Sequence, residues 1–386
     1  MNNFADDEFT PEKEISVEEA SHESSQTDVG EEEGNEDSFF RRKAVKVPLR
    51  ICTGLFILGT AISLYWARIP DTFDVTAIAR EKAVAYGHRE LDEPLPRGYR
   101  TVAATVYLAE QLLEKPGGYQ SNDWSPMTRI PDNMRNWEYG AVVELRVMIQ
   151  GLRFELSRSG PQSTEHIELR EADTRFNFKH DSLVLPSTEQ QYREGIQFLK
   201  DYLDAMNSAT TEGTYFAARQ DQVIRWLERQ QIMLGDYASR LQNNVGAVSY
   251  DTGVLTSMDQ KFLNTVSDTT DQPKQADSEK NVSSLTERDD VFYQVRGGVY
   301  VMYHVMLAMR KDCEKLLNDA QAMGIMNRVI NELEQACKPM KSPVVLNGSE
   351  FGVIQNHSLV LGAHVAKANL AVQELQKQIA GGGGRN

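Results

Sequence analysis

The chain has 386 residues and a net charge of −15, from 41 Lys and Arg against 56 Asp and Glu. Nearly all of this charge lies in residues 1–40, which hold fourteen acidic residues and one basic residue, Lys13. The rest of the chain is therefore close to neutral. It has no basic stripe with interleaved aromatic residues, which argues against nucleic-acid binding.

Residues 1–46 are predicted to form a disordered acidic tail. Ser, Glu, Asp and Asn dominate this segment, so it cannot bury enough apolar surface to offset the entropy of the chain. Phe39 and Phe40, beside Arg41 and Arg42, could dock a basic cytoplasmic partner. The alternative is a solvated tail without a partner.

The segment Ile51–Ala67 carries no charged residue over seventeen positions. This length is at the short end of what crosses a hydrocarbon core of roughly 30 Å. The apolar run is extended by Val47, Leu49 and Ile69. A transmembrane helix over residues 47–69 is therefore predicted, with a buried core helix as the alternative.

The orientation of this helix follows from the basic residues around it. Arg68 alone follows it closely, whereas five basic residues precede it: Arg41, Arg42, Lys43, Lys46 and Arg50. Because Lys and Arg near a span stay in the cytoplasm, the N-terminus is expected there and residues 70–380 on the other side, which in a bacterium is the periplasm. About fifty residues precede the segment, which does not fit a cleaved signal peptide. An uncleaved inner-membrane anchor is predicted.

Beyond residue 70, apolar residues recur at helical spacing, which predicts an all-α helical bundle with long helices. Helices are expected over about 99–113, 132–156, 187–206 and 213–241, the third opened by a capping box at Ser187 and Gln190. Three further apolar seams run from Val295 to Leu316, from Met326 to Cys337 and from Leu361 to Ile379. Loops are expected at 157–186 (ordered, aromatic), about 243–285 (mobile) and 381–386 (a flexible tail).

Two of the three cysteines, Cys313 and Cys337, lie beyond the predicted anchor. They stand eleven residues before Gly324 and thirteen after it, so a hairpin turn near 324–325 would bring both to the same level. A Cys313–Cys337 disulfide is predicted on the oxidising side of the membrane. A helix unbroken through Gly324 would instead hold them about 36 Å apart. Two inert buried thiols are the alternative.

The segment Ser342–Ile354 contains Asn347-Gly348 between apolar runs, which predicts a small β-hairpin. This segment contributes to a resemblance to a bacterial family catalogued as domain of unknown function 2333. The other motifs are Asp132-Asn133, Asn136-Trp137-Glu138, the run from Leu185 to Gly195, and Asn356-His357-Ser358-Leu359-Val360. The resemblance spans about residues 70–379. It implies a Gram-negative inner-membrane protein without an established activity.

Two polar segments are candidates for ligand or partner contacts. The first combines amide, aromatic and carboxylate groups that suit a sugar or peptide, although capping and a core Trp explain it as well; it contains Asp132, Asn133, Asn136, Trp137 and Glu138. The second leads into a helix whose first amides could hold an anion or a peptide carboxylate, with a plain turn as the alternative. It contains Asn347, Gly348, Phe351, Gly352, Asn356 and His357.

No residue is predicted to be catalytic or to bind a metal, and no cofactor is expected. The sequence has no nucleophile elbow, zinc-protease motif or phosphate-binding loop. His357 and His364 would lie about 10 Å apart on one helix, too far for one zinc ion alone. His304 is expected to be a core or rim histidine. The plentiful carboxylates are interpreted as solvated faces.

The resulting hypothesis is an envelope scaffold or assembly factor that binds another protein or a second copy of itself. One alternative is a periplasmic module that binds a lipid or glycan, and another is a carboxylate-dependent cell-wall or lipid hydrolase. A polar cleft that joins Asp132, Glu138 and His357 would favour the hydrolase. An apolar tunnel along the Met-rich seam would favour the lipid.

Overall fold

In the computed structural model, the described residues are 33–86, 90, 93–125, 128, 132–158, 164–207, 216–245, 257–267, 285–340, 342, 345–348 and 353–382. The regular elements in these ranges are all helices, which confirms the predicted all-α fold. They are α1 Glu33–Trp66, α2 Val75–Ala85, α3 Tyr99–Glu114, α4 Asn133–Gly151, α5 Ile167–Phe176, α6 Thr188–Asn207, α7 Gln220–Val245, α8 Ser257–Val266, α9 Leu285–Asp312, α10 Glu314–Asp319, α11 Met323–Cys337 and α12 His357–Gly382. A π-helical turn, Leu152–Leu156, extends α4.

The first helix is longer than the sequence suggests. It begins at Glu33, so the described part of the predicted tail, residues 33–46, lies within a helix. The rest of the predicted tail, residues 1–32, lies outside the described residues. Within the described part of the chain, no helix is long and apolar enough to cross a membrane.

The chain divides into a unit that ends at Ile57 and a second unit that begins at Leu58. In the second unit, α4 lies against α9, and α7 against α12. The helix α11 packs between α9 and α12, and α3 contacts α2, α6 and α9. The predicted seams are therefore the contact faces of the bundle. Met302, Met306 and Met309 of α9 are buried and pack within the core.

The central pair, α4 and α9, approaches so closely that only glycine fits at two positions. A Cβ atom at Gly140 would lie 1.8 Å from the carbonyl oxygen of Gln294, and one at Gly297 would lie 1.9 Å from that of Trp137. Close-packed interiors leave no room for such an overlap. The helices α3, α5, α7 and α8 also contact α4, and every residue from Trp137 to Gly151 is buried.

Two predicted loops contain helices. The loop expected at 157–186 includes α5, which ends at the buried Phe176. The mobile loop expected at 243–285 contains α8, which buries Leu263 and Val266 against the bundle. The carbonyl oxygen of Val266 accepts a hydrogen bond of 3.0 Å from the buried guanidinium of Arg146. These contacts explain why α8 is helical, because a short helix with an apolar face is stable when that face is covered.

The predicted disulfide is wrong, because Cys313 and Cys337 are free. The chain reverses at residues 320–322 instead of 324–325, after the short helix α10. The carbonyl oxygen of Cys337 accepts from Nη2 of Arg296 at 3.3 Å, so Cys337 lies beside Arg296 on α9. Arg296 precedes Cys313 by seventeen residues, which is about 25 Å along a helix. A disulfide needs Cα atoms within about 7 Å.

Alkylation of the denatured protein without reductant is expected to label all three cysteines. In the folded protein Cys313 and Cys337 should react slowly, because burial raises the pKa of both thiols to about 12 and the thiolate is the reactive form. Mass spectrometry of the alkylated peptides measures both states. Labelling of Cys52 alone after denaturation would show that Cys313 and Cys337 are joined by a disulfide.

Candidate functional site at the end of the first helix

The first predicted polar segment lies at the start of α4, and its side chains point to different neighbours. Asp132 precedes the helix and Asn133 begins it. Asn136 faces α9, where its Nδ2 donates to Asp290 and its Oδ1 accepts from Gln294 at 2.9 Å. Trp137 is buried edge-on against Tyr300 of α9, with ring centroids 5.3 Å apart. The segment therefore fixes the central helix pair.

Glu138, the last residue of that segment, organises the loop that follows α3. Its carboxylate accepts from the backbone amides of Gln120 (2.9 and 3.0 Å) and Ser121 (2.8 Å), and from the Ser121 hydroxyl at 2.7 Å. It also pairs with the ammonium of Lys115, and both side chains are almost completely buried. Burial raises the pKa of Glu138, while Lys115 and the donors oppose that rise. One buried carboxylate thus holds both ends of the loop 115–121.

This loop contacts the end of the first helix. Nε2 of Gln120 donates to the carbonyl oxygen of Trp66, the last residue of α1, at 3.0 Å. Gly117 has φ +85°, and a Cβ there would lie 2.7 Å from Cγ of Trp66. Glycine is therefore required on two grounds, a left-handed backbone and close contact with the indole. The loop held by Glu138 is a seat for Trp66.

Side chains of α9 hold residues 67–74, the segment that links α1 to α2. The hydroxyl of Tyr300 lies 2.9 Å from the carbonyl oxygen of Asp71 and 3.0 Å from Oε1 of Gln111. The ring of His304 stacks on Phe73 with centroids 4.0 Å apart. Its Nε2 accepts from the backbone amide of Phe73 at 3.1 Å, and its Nδ1 donates to the carbonyl oxygen of Tyr300 at 2.8 Å.

His304 is therefore a satisfied core histidine, as the sequence predicts. Both ring nitrogens have partners, and those partners fix a neutral tautomer because Nε2 must accept. Burial lowers the pKa of His304 to about 4, which keeps the ring neutral at physiological pH. Together, Gln120, Tyr300 and His304 attach the residues from Trp66 to Phe73 firmly to the bundle.

The second predicted segment forms a closed loop before α12. Asn347 and Asn356 make one antiparallel bridge. Asn347 is itself paired in this bridge, so the predicted two-residue turn at Asn347-Gly348 is wrong. The carbonyl oxygen of Gly348 accepts from Nδ2 of Asn356 at 2.8 Å. A Cβ at Gly348 would lie 2.1 Å from the carbonyl oxygen of Ile354, so the loop packs tightly on itself. Phe351 and Gly352 lie outside the described residues.

The first amides of α12 are occupied by this loop. The amide of His357 donates to Leu346 at 2.8 Å, that of Ser358 to Oδ1 of Asn347 at 3.3 Å, and that of Leu359 to Oδ1 of Asn356 at 2.9 Å. His357 returns a bond, since its Nδ1 accepts from the Leu346 amide at 2.9 Å. The backbone amides that were predicted to hold an anion therefore cap α12.

The two predicted segments do not form one site. Glu138 faces the loop 115–121, whereas His357 faces Leu346 and lies 6.4 Å, centroid to centroid, from Phe292. His364, the other histidine of α12, bonds Glu332 at 2.8 Å through its Nδ1. In the part of the chain that the structure describes, no group of three or more His, Cys, Asp and Glu could hold a metal ion.

A second buried carboxyl lies deeper in α4. Glu144 is almost completely buried, and its Oε2 accepts from the hydroxyl of Tyr237 on α7 at 2.9 Å. Burial raises its pKa to about 8, although hydrogen bonds from Tyr237 and Gln230 oppose the rise. At neutral pH this carboxyl is mostly protonated. It is enclosed in the core and cannot meet a large substrate without unfolding.

The seat for Trp66 includes residues that sequence analysis does not single out: Lys115, Gln120, Ser121, Asp71 and Tyr300. The turn Lys115-Pro116-Gly117-Gly118 is visible in the sequence as a helix stop. Its partner Glu138 is also visible, as a helix-start residue. Nothing in one sequence links these two segments, because a buried ion pair depends on tertiary contact.

Comparison with known families gives one match. The family model described as "Uncharacterized protein conserved in bacteria (DUF2333)" matches residues 41–382. No curated protein and no solved structure matches the chain.

Proposed function

The chain belongs to this family of uncharacterised bacterial proteins (DUF2333), and we propose that it is a single-pass inner-membrane protein whose periplasmic bundle is an envelope scaffold. In this proposal, α1 anchors the chain and the bundle binds another envelope protein. The observation that carries it is the attachment of the end of α1, and of the segment that follows it, to the bundle. Such an attachment joins the end of the proposed anchor directly to the folded part of the chain.

Support for the anchor comes from the surface of α1. Apolar side chains are strongly exposed along it, including Leu55 (63%), Leu58 (57%) and Leu64 (67%). Such an apolar surface is costly in water but favourable in a hydrocarbon core. The uncharged stretch Ile51–Ala67 is short, so the proposed span includes the flanking residues Val47, Leu49 and Ile69. The basic residues before it favour a cytoplasmic N-terminus.

Support for a protein partner comes from the closed loop before α12. Val353 is fully exposed, and Ile354 (59%) and Val360 (47%) are exposed beside it. Hydrogen bonds of Asn347, Gly348 and Asn356 fix the backbone just before α12, so little entropy is lost there when a partner covers the neighbouring side chains. We therefore assign Val353 and Ile354 as the contact point for the partner.

Crosslinking in living cells tests this assignment. A photoreactive residue at Ile354 should give a repeatable crosslink to one envelope protein. The same residue at Leu370 is the control, because Leu370 is an apolar residue of similar exposure (65% against 59%) that lies on α12, away from the loop. The Val353→Asp substitution should abolish the crosslink at Ile354, whereas Leu370→Asp should leave it unchanged.

Other outcomes would favour the other functions. Crosslinks from Ile354 to a second copy of the chain would identify self-association through this loop. Absence of any crosslink, combined with a lipid that co-purifies with the chain, would replace the scaffold by a lipid-binding module. The same crosslinks from Ile354 and Leu370 would show that the contact is unspecific.

A further inference from the structure

Four apolar side chains protrude from two loops of the bundle. Trp124 is 73% exposed, and the consecutive residues Leu183 (57%), Val184 (75%) and Leu185 (90%) are exposed as well. Single exposed apolar residues are common, but a Trp and three consecutive aliphatic residues indicate a surface that is covered by something. We call these four residues the apolar tip.

The loop that carries Leu183–Leu185 is closed at its base. The hydroxyl of Thr188 accepts from the Ser182 amide at 3.0 Å and donates to the carbonyl oxygen of Lys179 at 2.8 Å. The amide of Thr188 donates to the carbonyl oxygen of Ser182 at 3.0 Å. These bonds join the two ends of the loop, so the three aliphatic side chains are held outward instead of folding onto the bundle.

The two loops of the apolar tip are joined to each other. Nδ2 of Asn122, two residues before Trp124, donates to the carbonyl oxygen of Ser182 at 3.0 Å and to Oε2 of Glu189 at 2.8 Å. Asn122 is itself buried. Trp124 and Leu183 therefore extend from one shared base.

That base is continuous with the seat for Trp66. Gln120, which bonds the last residue of α1, precedes Asn122 by two residues and Trp124 by four. At 3.8 Å between successive Cα atoms, Trp124 lies within about 15 Å of Gln120. If α1 crosses the bilayer, Trp66 marks its periplasmic surface, and the apolar tip stands close to that surface.

We propose that the apolar tip inserts into the periplasmic face of the bilayer beside α1, and so gives the bundle a second membrane contact. This inference rests on the proposed anchor. Tryptophan favours the interface between headgroups and acyl chains, where its apolar ring and its N–H group are both accommodated. Leu183–Leu185 would reach the acyl chains. A protein partner could also cover the tip, but only the membrane is brought near it by α1.

Tryptophan fluorescence of the full chain in liposomes tests the inference. The chain is reconstituted into phosphatidylcholine vesicles with or without bromine atoms on the acyl chains, since bromine quenches nearby indoles. The signal of Trp124 is the difference between the wild type and Trp124→Phe. We expect Trp124 emission to be quenched by brominated lipid and protected from acrylamide in the water. Val184→Asp should reverse both effects, and Leu370→Asp, which changes an exposed leucine on α12, should change neither.

Resistance to extraction by alkaline carbonate, measured on the same vesicles, separates the two proposals. A chain that stays in the membrane, with Trp124 open to acrylamide and unquenched by bromine, would overturn the apolar tip and leave the anchor intact. A chain that is extracted would overturn the anchor and the tip together. If Trp124 is open in liposomes but crosslinks to a protein in native membranes, the tip is a protein contact and the inference is wrong.

Discussion

Replacing Glu138 by alanine is expected to lower the free energy of unfolding by about 4 kcal/mol, the range seen when one partner of a buried ion pair is removed. The substitution leaves the ammonium of Lys115 buried without its carboxylate. It also removes the acceptor from the amides of Gln120 and Ser121. Urea unfolding of the full chain in detergent micelles measures the loss.

One further variant shows whether the charge or the shape of Glu138 matters, and a second serves as the control. Glu138→Gln keeps an acceptor oxygen but not the charge, so an intermediate loss is expected. Glu374→Ala is the control, because Glu374 pairs with Arg328 at the exposed surface and such pairs contribute at most about 1 kcal/mol. A loss below about 1 kcal/mol for Glu138→Ala would show that Glu138 does not hold the loop.

The Glu138→Ala substitution should also weaken the contact between the loop 115–121 and Trp66. If Glu138 orders the loop 115–121, then Glu138→Ala should speed up the hydrogen exchange of the backbone amides near Trp66 and Gln120. Peptides from α12 should exchange as in the wild type. This result would connect the stability of the loop to the attachment of α1.

Replacing Glu144 by glutamine is expected to stabilise the fold by about 4 kcal/mol at pH 8, at 1.36 kcal/mol for each unit of pKa difference. Burial raises the folded-state pKa from 4.5 to about 8. The unfolded chain therefore releases a proton above pH 4.5 that the folded chain keeps. Stability from this group is complete below pH 4.5 and is lost as the pH rises towards 8.

Glutamine removes this titration while its side-chain oxygen can still accept from Tyr237. Stability of the variant relative to the wild type should therefore be near zero at pH 4.5 and should grow up to pH 8. Glu374→Gln is the matched control and should show no such trend. Urea unfolding between pH 4.5 and 8.5 provides the measurement. A difference that is independent of pH would mean that Glu144 is ionised in the folded protein.

Helices with a repeating apolar face could be predicted from the sequence, because periodicity reports directly which face is buried. The predicted start and end of α3 lie close to the observed Tyr99 and Glu114, where Lys115-Pro116 stops the helix. The helix from 213 was predicted too early, since α7 begins at Gln220. Whether a segment is a helix depends largely on its own residues, so the local pattern is enough to predict it.

Features that depend on contact between distant segments could not be predicted. The crossing at Gly140 and Gly297 needs two glycines that are 157 positions apart to meet. The disulfide prediction failed for a related reason, because α9 ends at Asp312 and the separate helix α10 precedes the turn, so α11 runs back along α9 until Cys337 lies beside Arg296. Of the candidate binding residues, Glu138 and Asn356 prove to hold loops in place, which residue type alone does not reveal.

Topology is the most direct test of the account, which places the bundle outside the cytoplasm with α1 as its anchor. A reporter that is active only after export, fused after Asn386, should be active, and the same reporter fused before Arg41 should be inactive. A second reporter that is active only in the cytoplasm should give the opposite pattern. Activity of the cytoplasmic reporter after Asn386 would contradict the anchor, the scaffold and the membrane contact of the apolar tip.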